Sequence, residues 1–310
     1  MSRGRSLVVV ALAYLVALAA AAAWLSLGPR TGRLWLDTLI ADVVATLAVF
    51  VFSRAFRNSS FYDAYWSVVP PVLLVFWWWQ GPIGLADPGS LRCWLLTVVV
   101  FYWAVRLTGN WVYGFPGLHH EDWRYPLLRD AAGRFGFLAD LFAIHLFPTL
   151  QVFVGMLPVY IAVTRPGDGV VWLAWIAFVV GMAAVTLELV ADTQMHRFVA
   201  ANRAAAAPDK AMDRGLWAWS RHPNYLGEIG FWLSLALFGI SAAPRDAWWL
   251  FVGVVVMVAM FLGASIPMME KRSLERRPAY QDVIDRVPRL LPRLSPRPSP
   301  RPSPGPTRRI

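Results

Sequence analysis

The sequence predicts an all-α fold: a polytopic membrane helix bundle of about eight transmembrane helices, with both termini in the cytoplasm. Of its 310 residues, 57% are hydrophobic and 15% are charged, whereas about 25% of residues are charged in soluble domains. Apolar runs close to the length of a bilayer span recur along the chain. Lysine and arginine are concentrated in alternate loops, as expected for loops that face the cytoplasm.

Eight apolar runs define the predicted helices, and the third is the shortest. It would have to begin within the semi-polar stretch "RNSSFYDAYW" (57–66) in order to cross a bilayer. The runs are 7–27, 34–52, 67–79, 91–105, 138–163, 170–190, 226–240 and 248–267.

The loop charges predict the orientation. An even number of spans places both termini on one side, together with loops 53–66, 106–137 and 191–225. That side would hold 24 of the 29 lysines and arginines, so we expect it to be cytoplasmic. The basic and apolar start of the chain looks like a secretory signal, but seven further runs follow, so we expect it to be retained as the first helix. The predicted location is the cell (inner) membrane.

Three regions are predicted along the chain. Residues 1–54 form N-terminal transmembrane helices, 55–292 a membrane domain, and 293–310 a proline- and arginine-rich disordered tail. A single cysteine, Cys93, excludes an internal disulfide. The net charge of +10 lies in membrane-flanking segments. Anionic lipids or a phosphorylated cofactor are therefore expected partners rather than nucleic acid.

Carboxylates in apolar runs are costly and tend to be functional. Asp63 lies among tyrosines and a tryptophan, where low dielectric would raise its pKa and let it donate a proton; the alternative is that it caps the third helix. Asp37 is predicted to be interfacial and Asp42 to be a helix-packing group. Asp140 is predicted to cap a helix.

Glu188, Asp192 and His196 are spaced so that they share one helix face. Two stacked carboxylates require cations or hydrogen-bond donors, and Arg221 and His222 are candidates. Either these residues belong to a functional site or they form a structural ion-pair network.

The stretch "WSRHPNYLGEIGF" (219–231) predicts an anion site. Pro223 is typical of a first helical turn, and the free amides of that turn would lie beside Arg221 and His222. Asn224, Tyr225 and Glu228 add hydrogen-bonding groups and a stacking surface. The set suits a nucleotide.

Other motifs are absent or weak. The chain contains no GxGxxG, P-loop, GxSxG or HExxH sequence. "HHED" (119–122) cannot direct four side chains at one ion from a regular helix, so no metal site is predicted.

Four stretches in order resemble a known family. "GLWAWSRHPNYLGEIGFW" (215–232) is similar to the C-terminal motif of the steroid 5-alpha-reductase and sterol reductase superfamily. Three further stretches resemble the bacterial branch of this superfamily, domain of unknown function 1295 (DUF1295). They are "VRLTGNWVYG…HHEDWRYPLLRD" (105–130), "ELVADTQMHRF" (188–198) and "MEKRSLERRPAYQDVIDRVPRLLP" (269–292). The resemblance covers roughly residues 55–292.

The resemblance implies an integral-membrane reductase that binds NADPH in the cytoplasmic half of the bundle and takes a lipid-like enone from the bilayer. Asp63 would face the substrate, with Tyr102 or Trp103 as its partner. Met195 stands where related sequences have lysine, and aspartate at 63 has a shorter reach than the family's glutamate. The residues that would contact NADPH are Arg124, Asp192, Gln194, Arg197, Trp217, Arg221, His222, Asn224, Tyr225, Glu270 and Arg272.

The function predicted from these residues is NADPH-dependent reduction of an activated C=C bond. One alternative is S-adenosylmethionine-dependent methyl transfer to a lipid or an isoprenylcysteine-type thiol, since such enzymes share the 221–225 motif but do not call for a carboxyl group in the third span. Another is a non-enzymatic lipid-binding membrane protein, which the Met195 departure favours.

Overall fold

A computed structural model describes residues 1–205 and 210–292, and these residues form helices and connecting turns without a β-strand. The predicted tail, 293–310, lies outside the described residues. The α-helices are α1 Arg3–Leu27, α2 Leu34–Phe56, α3 Tyr65–Gln80, α4 Ser90–Gly114, α5 Arg124–Ala132, α6 Gly136–Leu138, α7 Phe147–Thr164, α8 Val171–Ala204, α9 Pro223–Ala242, α10 Ala247–Leu250, α11 Val252–Met260, α12 Ile266–Arg276 and α13 Tyr280–Arg286.

All eight predicted apolar runs are helical, which confirms the all-α prediction. Several helices continue past their apolar run into polar sequence; α8, for example, extends beyond the predicted end at residue 190 to Ala204. An α-helix can continue through polar residues because it is held by backbone hydrogen bonds. An apolar run ends at the first polar residue, so it underestimates the length of the helix.

Seven helical stretches of the described chain are long and apolar enough to cross a membrane. The third run is not among them because α3 contains 16 residues, fewer than the roughly 17 that a span requires. The count of eight stays a prediction. The seven are Arg3–Leu27, Leu34–Phe56, Ser90–Gly114, Arg124–Thr164, Val171–Ala204, Pro223–Ala242 and Pro244–Arg276.

The chain divides into two compact units. The first comprises Met1–Val185 and Ile229–Ala259, and the second Thr186–Glu228 and the chain from Met260 onward. Each is described separately below.

Small residues allow close helix packing in the first unit. A Cβ atom on Gly181 of α8 would lie 2.6 Å from the Val99 side chain of α4, and one on Gly239 of α9 would lie 2.9 Å from Pro158 of α7. Membrane helices gain most of their association from such contacts, since lipid offers no hydrophobic driving force between them.

Buried polar side chains of the first unit are paired across helices. The Tyr65 hydroxyl donates to Asp42 Oδ1 over 3.0 Å, which agrees with the predicted packing role of Asp42. Thr149 of α7 bonds to the Tyr62 hydroxyl at 2.7 Å and to Thr46 of α2 at 2.8 Å. These bonds satisfy polar groups that would otherwise be costly in an apolar interior.

Asp140 does not cap a helix, so that prediction was wrong. It lies within a π-helical segment, Ala139–Leu146, that runs directly into α7. Its carboxylate is almost fully buried and pairs with Arg54 of α2 at 2.8 Å and with Arg129 of α5 at 3.0 Å. Two cations in contact offset the desolvation of one buried carboxylate.

Arg92 is buried inside the first unit. Its guanidinium donates to the carbonyl oxygens of Ala162, Arg165, Gly167 and Asp168 over 2.9 to 3.2 Å. Carbonyls at a helix C-terminus lack intrahelical donors, and Arg92 supplies them for α7.

Candidate functional site

The 215–218 loop is fixed to α8 within the second unit by two hydrogen bonds. The Leu216 amide donates to Gln194 Oε1 over 2.9 Å, and the Trp217 indole donates to the Ala191 carbonyl over 3.0 Å. Gly215 has φ +59°, a conformation that glycine adopts without strain. A Cβ there would lie 2.8 Å from Gln194 Cδ, so glycine also permits the close approach.

Arg221 and His222 converge on one carboxylate, that of Glu270 in α12. Arg221 Nε lies 2.8 Å and His222 Nε2 3.1 Å from Glu270 Oε1. All three side chains are at most 10% exposed. Charge-assisted hydrogen bonds of this kind are the stronger ones in proteins.

The last turn of α13 and the two residues after it also dock on Arg221. Its Nη1 donates to the carbonyls of Ile284 and Val287 over 2.8 and 2.7 Å, and its backbone amide donates to the Pro288 carbonyl over 2.9 Å. We call residues 284–288 the carbonyl strap. Most of the guanidinium is therefore occupied by the protein itself, so Arg221 organises this cluster.

An aromatic column stands beside the carboxylate. The rings of His222 and Tyr225 are 5.4 Å apart and nearly parallel, and Tyr225 stacks on Phe261 at 4.5 Å. On the first turn of α9, Asn224 has a buried Oδ1 atom with no hydrogen-bond partner in residues 1–205 and 210–292. An unpaired buried acceptor is costly unless a ligand or water supplies a donor.

Four of the residues predicted to bind a cofactor are in direct contact in the second unit, and the cofactor role stays a prediction. Pro223 begins α9, as predicted. Glu188, Asp192 and His196 lie on one helix, also as predicted. Arg197 is exposed on α8 and Arg272 is partly exposed on α12. The four residues joined by direct contacts are Arg221, His222, Tyr225 and Glu270. Gln194 and Trp217 link the 215–218 loop to α8 instead.

Asp63 belongs to a cluster in the first unit. It follows the 3-10 helix Ser59–Tyr62, and its Oδ1 atom accepts a hydrogen bond from the hydroxyl of Tyr125 in α5. Burial raises the pKa of Asp63 to about 6, and the hydrogen bond from Tyr125 limits that rise. The carboxyl group is thus poised to change protonation near neutral pH.

Four hydrogen bonds hold the loop before α5 against the 3-10 helix. Asn58 Nδ2 donates to the carbonyls of Leu118 and His120 at 3.0 Å. The Ser59 amide donates to Glu121 Oε1 over 2.7 Å, and the Asp122 amide donates to Ser60 Oγ over 3.0 Å. Asp63 and Tyr125 are consequently positioned by elements that are bonded to each other.

The two acidic residues of "HHED", Glu121 and Asp122, form ion pairs and hydrogen bonds that stabilise the loop before α5. Glu121 accepts from Arg129, and Asp122 accepts from the Arg124 amide and, in a bidentate pair, from its guanidinium at 2.7 and 3.2 Å. Burial opposes ionisation of Asp122, but Arg124 outweighs it and holds the pKa of Asp122 below its usual value. Within the described residues, no group of three potential metal ligands is found.

Tyr102 and Trp103 differ in surroundings. Trp103 is fully buried and stacks on Phe231 with 4.4 Å between ring centroids, which makes it part of the packed interior. Tyr102 is partly exposed. Which of them would face a substrate stays a prediction.

Sequence reasoning missed Tyr125 and the carbonyl strap. Tyr125 stands next to Arg124 in a stretch that was singled out, and a tyrosine among charges was the available signal. The strap offers only backbone carbonyls, which leave no signature in a sequence.

One groove of the first unit is lined by none of the residues of these polar clusters. It measures about 470 Å³ and is lined by Pro71, Val72, Val75, Phe76, Trp79 and Phe101. Its lining is almost purely apolar, which suits contact with acyl chains rather than chemistry.

Fold and clusters together define a multi-pass helical membrane protein with a buried polar centre in each of its two compact units. The chain belongs to DUF1295, a family described as a protein of unknown function, whose profile matches residues 49–287. An uncharacterized protein of Schizosaccharomyces pombe is 30% identical over 253 residues, which cover 75% of this chain and 72% of the yeast protein. No solved structure matches the chain.

Proposed function

We propose that this protein is an integral-membrane, NADPH-dependent reductase of the steroid 5-alpha-reductase and sterol reductase superfamily, acting on an activated C=C bond of a lipid-like substrate. The observation that supports it best is the convergence on Glu270 and α8 of Arg221, His222 and Trp217 from the 215–225 stretch. The superfamily resemblance assigns this stretch to cofactor binding.

The second unit offers groups that fit a dinucleotide. The unpaired Asn224 Oδ1 can accept from an amide or ribose hydroxyl. Because Arg221 is largely occupied by Glu270 and the strap, phosphate recognition would fall to other arginines of this unit, of which Arg197 and Arg289 are exposed. Bound NADPH would supply a hydride.

Asp63 would act on the substrate carbonyl. A protonated carboxyl group can donate a hydrogen bond to the oxygen on which negative charge develops as the β-carbon is reduced. The same group can release its proton to the substrate and regain one from water. The net change is C=C to CH–CH, with one hydride from the cofactor and one proton from solvent.

The proposed topology completes this assignment. Eight spans, with α3 counted as the third, would place both termini and the basic loops in the cytoplasm. NADPH would then be reached from the cytosol, and the substrate would enter from the surrounding lipid.

Cofactor binding is tested by titrating the purified full-length protein in detergent separately with NADPH and with S-adenosylmethionine, following intrinsic fluorescence and calorimetry. We expect saturable binding of NADPH alone. Binding of S-adenosylmethionine alone would favour methyl transfer, and binding of neither would favour a lipid-binding protein.

Asp63→Asn tests the catalytic assignment. With a panel of lipid-like enones, we expect turnover to fall by about 10²–10³, the usual effect of losing an oxyanion donor, while NADPH affinity stays within about twofold. Asp130→Asn, at an exposed position of α5, is the matched control. Unchanged turnover in Asp63→Asn would remove this carboxyl from the mechanism.

A further inference from the structure

The immediate partner of Asp63 is Tyr125, which neither the resemblance nor the sequence identified. The Tyr125 hydroxyl donates to one carboxylate oxygen, Oδ1. Both side chains keep a minor part of their surface exposed. A carboxyl group has two oxygens, so this contact leaves Oδ2 for a second partner. The Ser60 side chain is the other hydrogen-bonding group that acts on the carboxyl group.

Both residues are held by a rigid frame. Asp63 follows a 3-10 turn, and Tyr125 is the second residue of α5, whose first amide donates to Asp122. Asn58 links the turn to the loop preceding α5 through two 3.0 Å hydrogen bonds. A functional side chain acts best when packing and hydrogen bonds from neighbouring residues fix its position.

We propose that Tyr125 is the positioning residue of Asp63, its hydroxyl fixing Oδ1 so that Oδ2 is the oxygen offered to a substrate carbonyl. Only the role toward a substrate rests on the proposed function, since the pairing exists without any ligand.

The hydrogen bond also tunes when Asp63 holds its proton. A hydroxyl that donates to a carboxylate favours the ionised form, so removing it raises the pKa of Asp63. Of the charged groups, Arg124 favours ionisation of Asp63 and Asp122 opposes it. The Ser60 side chain also favours ionisation, and the Tyr14 phenol of α1 interacts electrostatically with the charge of Asp63. Arg124 and Asp122 already neutralise each other as a bidentate pair.

The pairing is tested with a hydrophobic carbodiimide, which modifies protonated carboxyl groups in apolar surroundings. The full-length protein is labelled between pH 5 and 9, and the modification of Asp63 is quantified by peptide mass spectrometry. In the wild type, we expect labelling to fall with a midpoint near pH 6.

In Tyr125→Phe, we expect the midpoint to move upward by about one pH unit, the size of a hydrogen bond to a charged group. Tyr113→Phe, at a tyrosine that is 70% exposed in the same unit, should leave it unchanged. An unchanged midpoint in Tyr125→Phe would overturn the proposal.

A second measurement covers the case in which Tyr125→Phe fails to fold. The infrared difference between wild type and Asp63→Asn at pH 5 isolates the C=O stretch of protonated Asp63. A band lowered by a strong hydrogen bond supports the pairing, and a band of a free acid contradicts it. Either method works without cofactor. If the midpoint shifts in a protein that does not bind NADPH, the pairing of Tyr125 with Asp63 is supported and the proposed reductase function is rejected.

Discussion

At the scale of single residues, Glu270 is the group on which the second unit depends most. One buried carboxylate faces Arg221 and His222, with Arg289 Nη2 3.9 Å from its second oxygen. Arg221 in turn holds the carbonyl strap. Loss of the negative charge would leave a buried guanidinium without its counter-ion.

We predict that Glu270→Gln lowers the free energy of unfolding by about 3–5 kcal/mol, the usual cost of removing one member of a buried ion pair. Glu275→Gln, an exposed position on the same helix, should change it by less than about 0.5 kcal/mol. The measurement is denaturant unfolding in one detergent. Equal stability of the two variants would show that Glu270 is not the central counter-charge.

At the scale of secondary-structure elements, the 215–218 loop packs closely on α8 because its first residue is a glycine in a left-handed conformation. Gly215 combines positive φ with close contact to Gln194. Gly32, between α1 and α2, has φ +76° and nothing within 4 Å of an added Cβ. An alanine at Gly32 would therefore meet only backbone strain, whereas an alanine at Gly215 would meet backbone strain and a steric clash.

We predict that Gly215→Ala destabilises the protein by about 1–3 kcal/mol and increases proteolysis near Trp217, because Gln194 must move and release the Leu216 amide. Gly32→Ala should cost about 1 kcal/mol, from backbone conformation alone. Limited proteolysis and unfolding of both variants provide the comparison. A larger effect at Gly32 would contradict it.

Helix positions could be predicted from the sequence, whereas contacts between distant residues could not. A bilayer requires every backbone group to be bonded internally, so apolar runs become helices almost regardless of detail. The 219–225 stretch was recognisable because polar residues are rare beside apolar runs. Nothing in the sequence, however, pairs Arg221 with Glu270, 49 residues away, or Tyr125 with Asp63, 62 residues away.

At the scale of the whole molecule, the predicted topology fixes which loops share a side of the membrane. Cys93 is the one cysteine of the sequence and is buried. Cys93→Ser therefore gives a background in which a single introduced cysteine reports its own location. Ser2 and Ala86 are exposed positions before α1 and between α3 and α4.

We predict that Ser2→Cys reacts with a membrane-impermeant maleimide only in inverted vesicles and Ala86→Cys only in right-side-out vesicles. The expected difference follows from α1, α2 and α3 each crossing the bilayer. If α3 does not cross, both cysteines will be labelled from the same side, and the count of eight spans will be wrong.

The carbonyl strap has a consequence for biosynthesis. Arg221 is translated 63 residues before Ile284, the first strap residue whose carbonyl it binds. Until the ribosome has made that later stretch, a guanidinium destined for the protein interior lacks its acceptors. The nascent chain must therefore keep this part open, and the centre around Glu270 can close only after residue 288 has emerged.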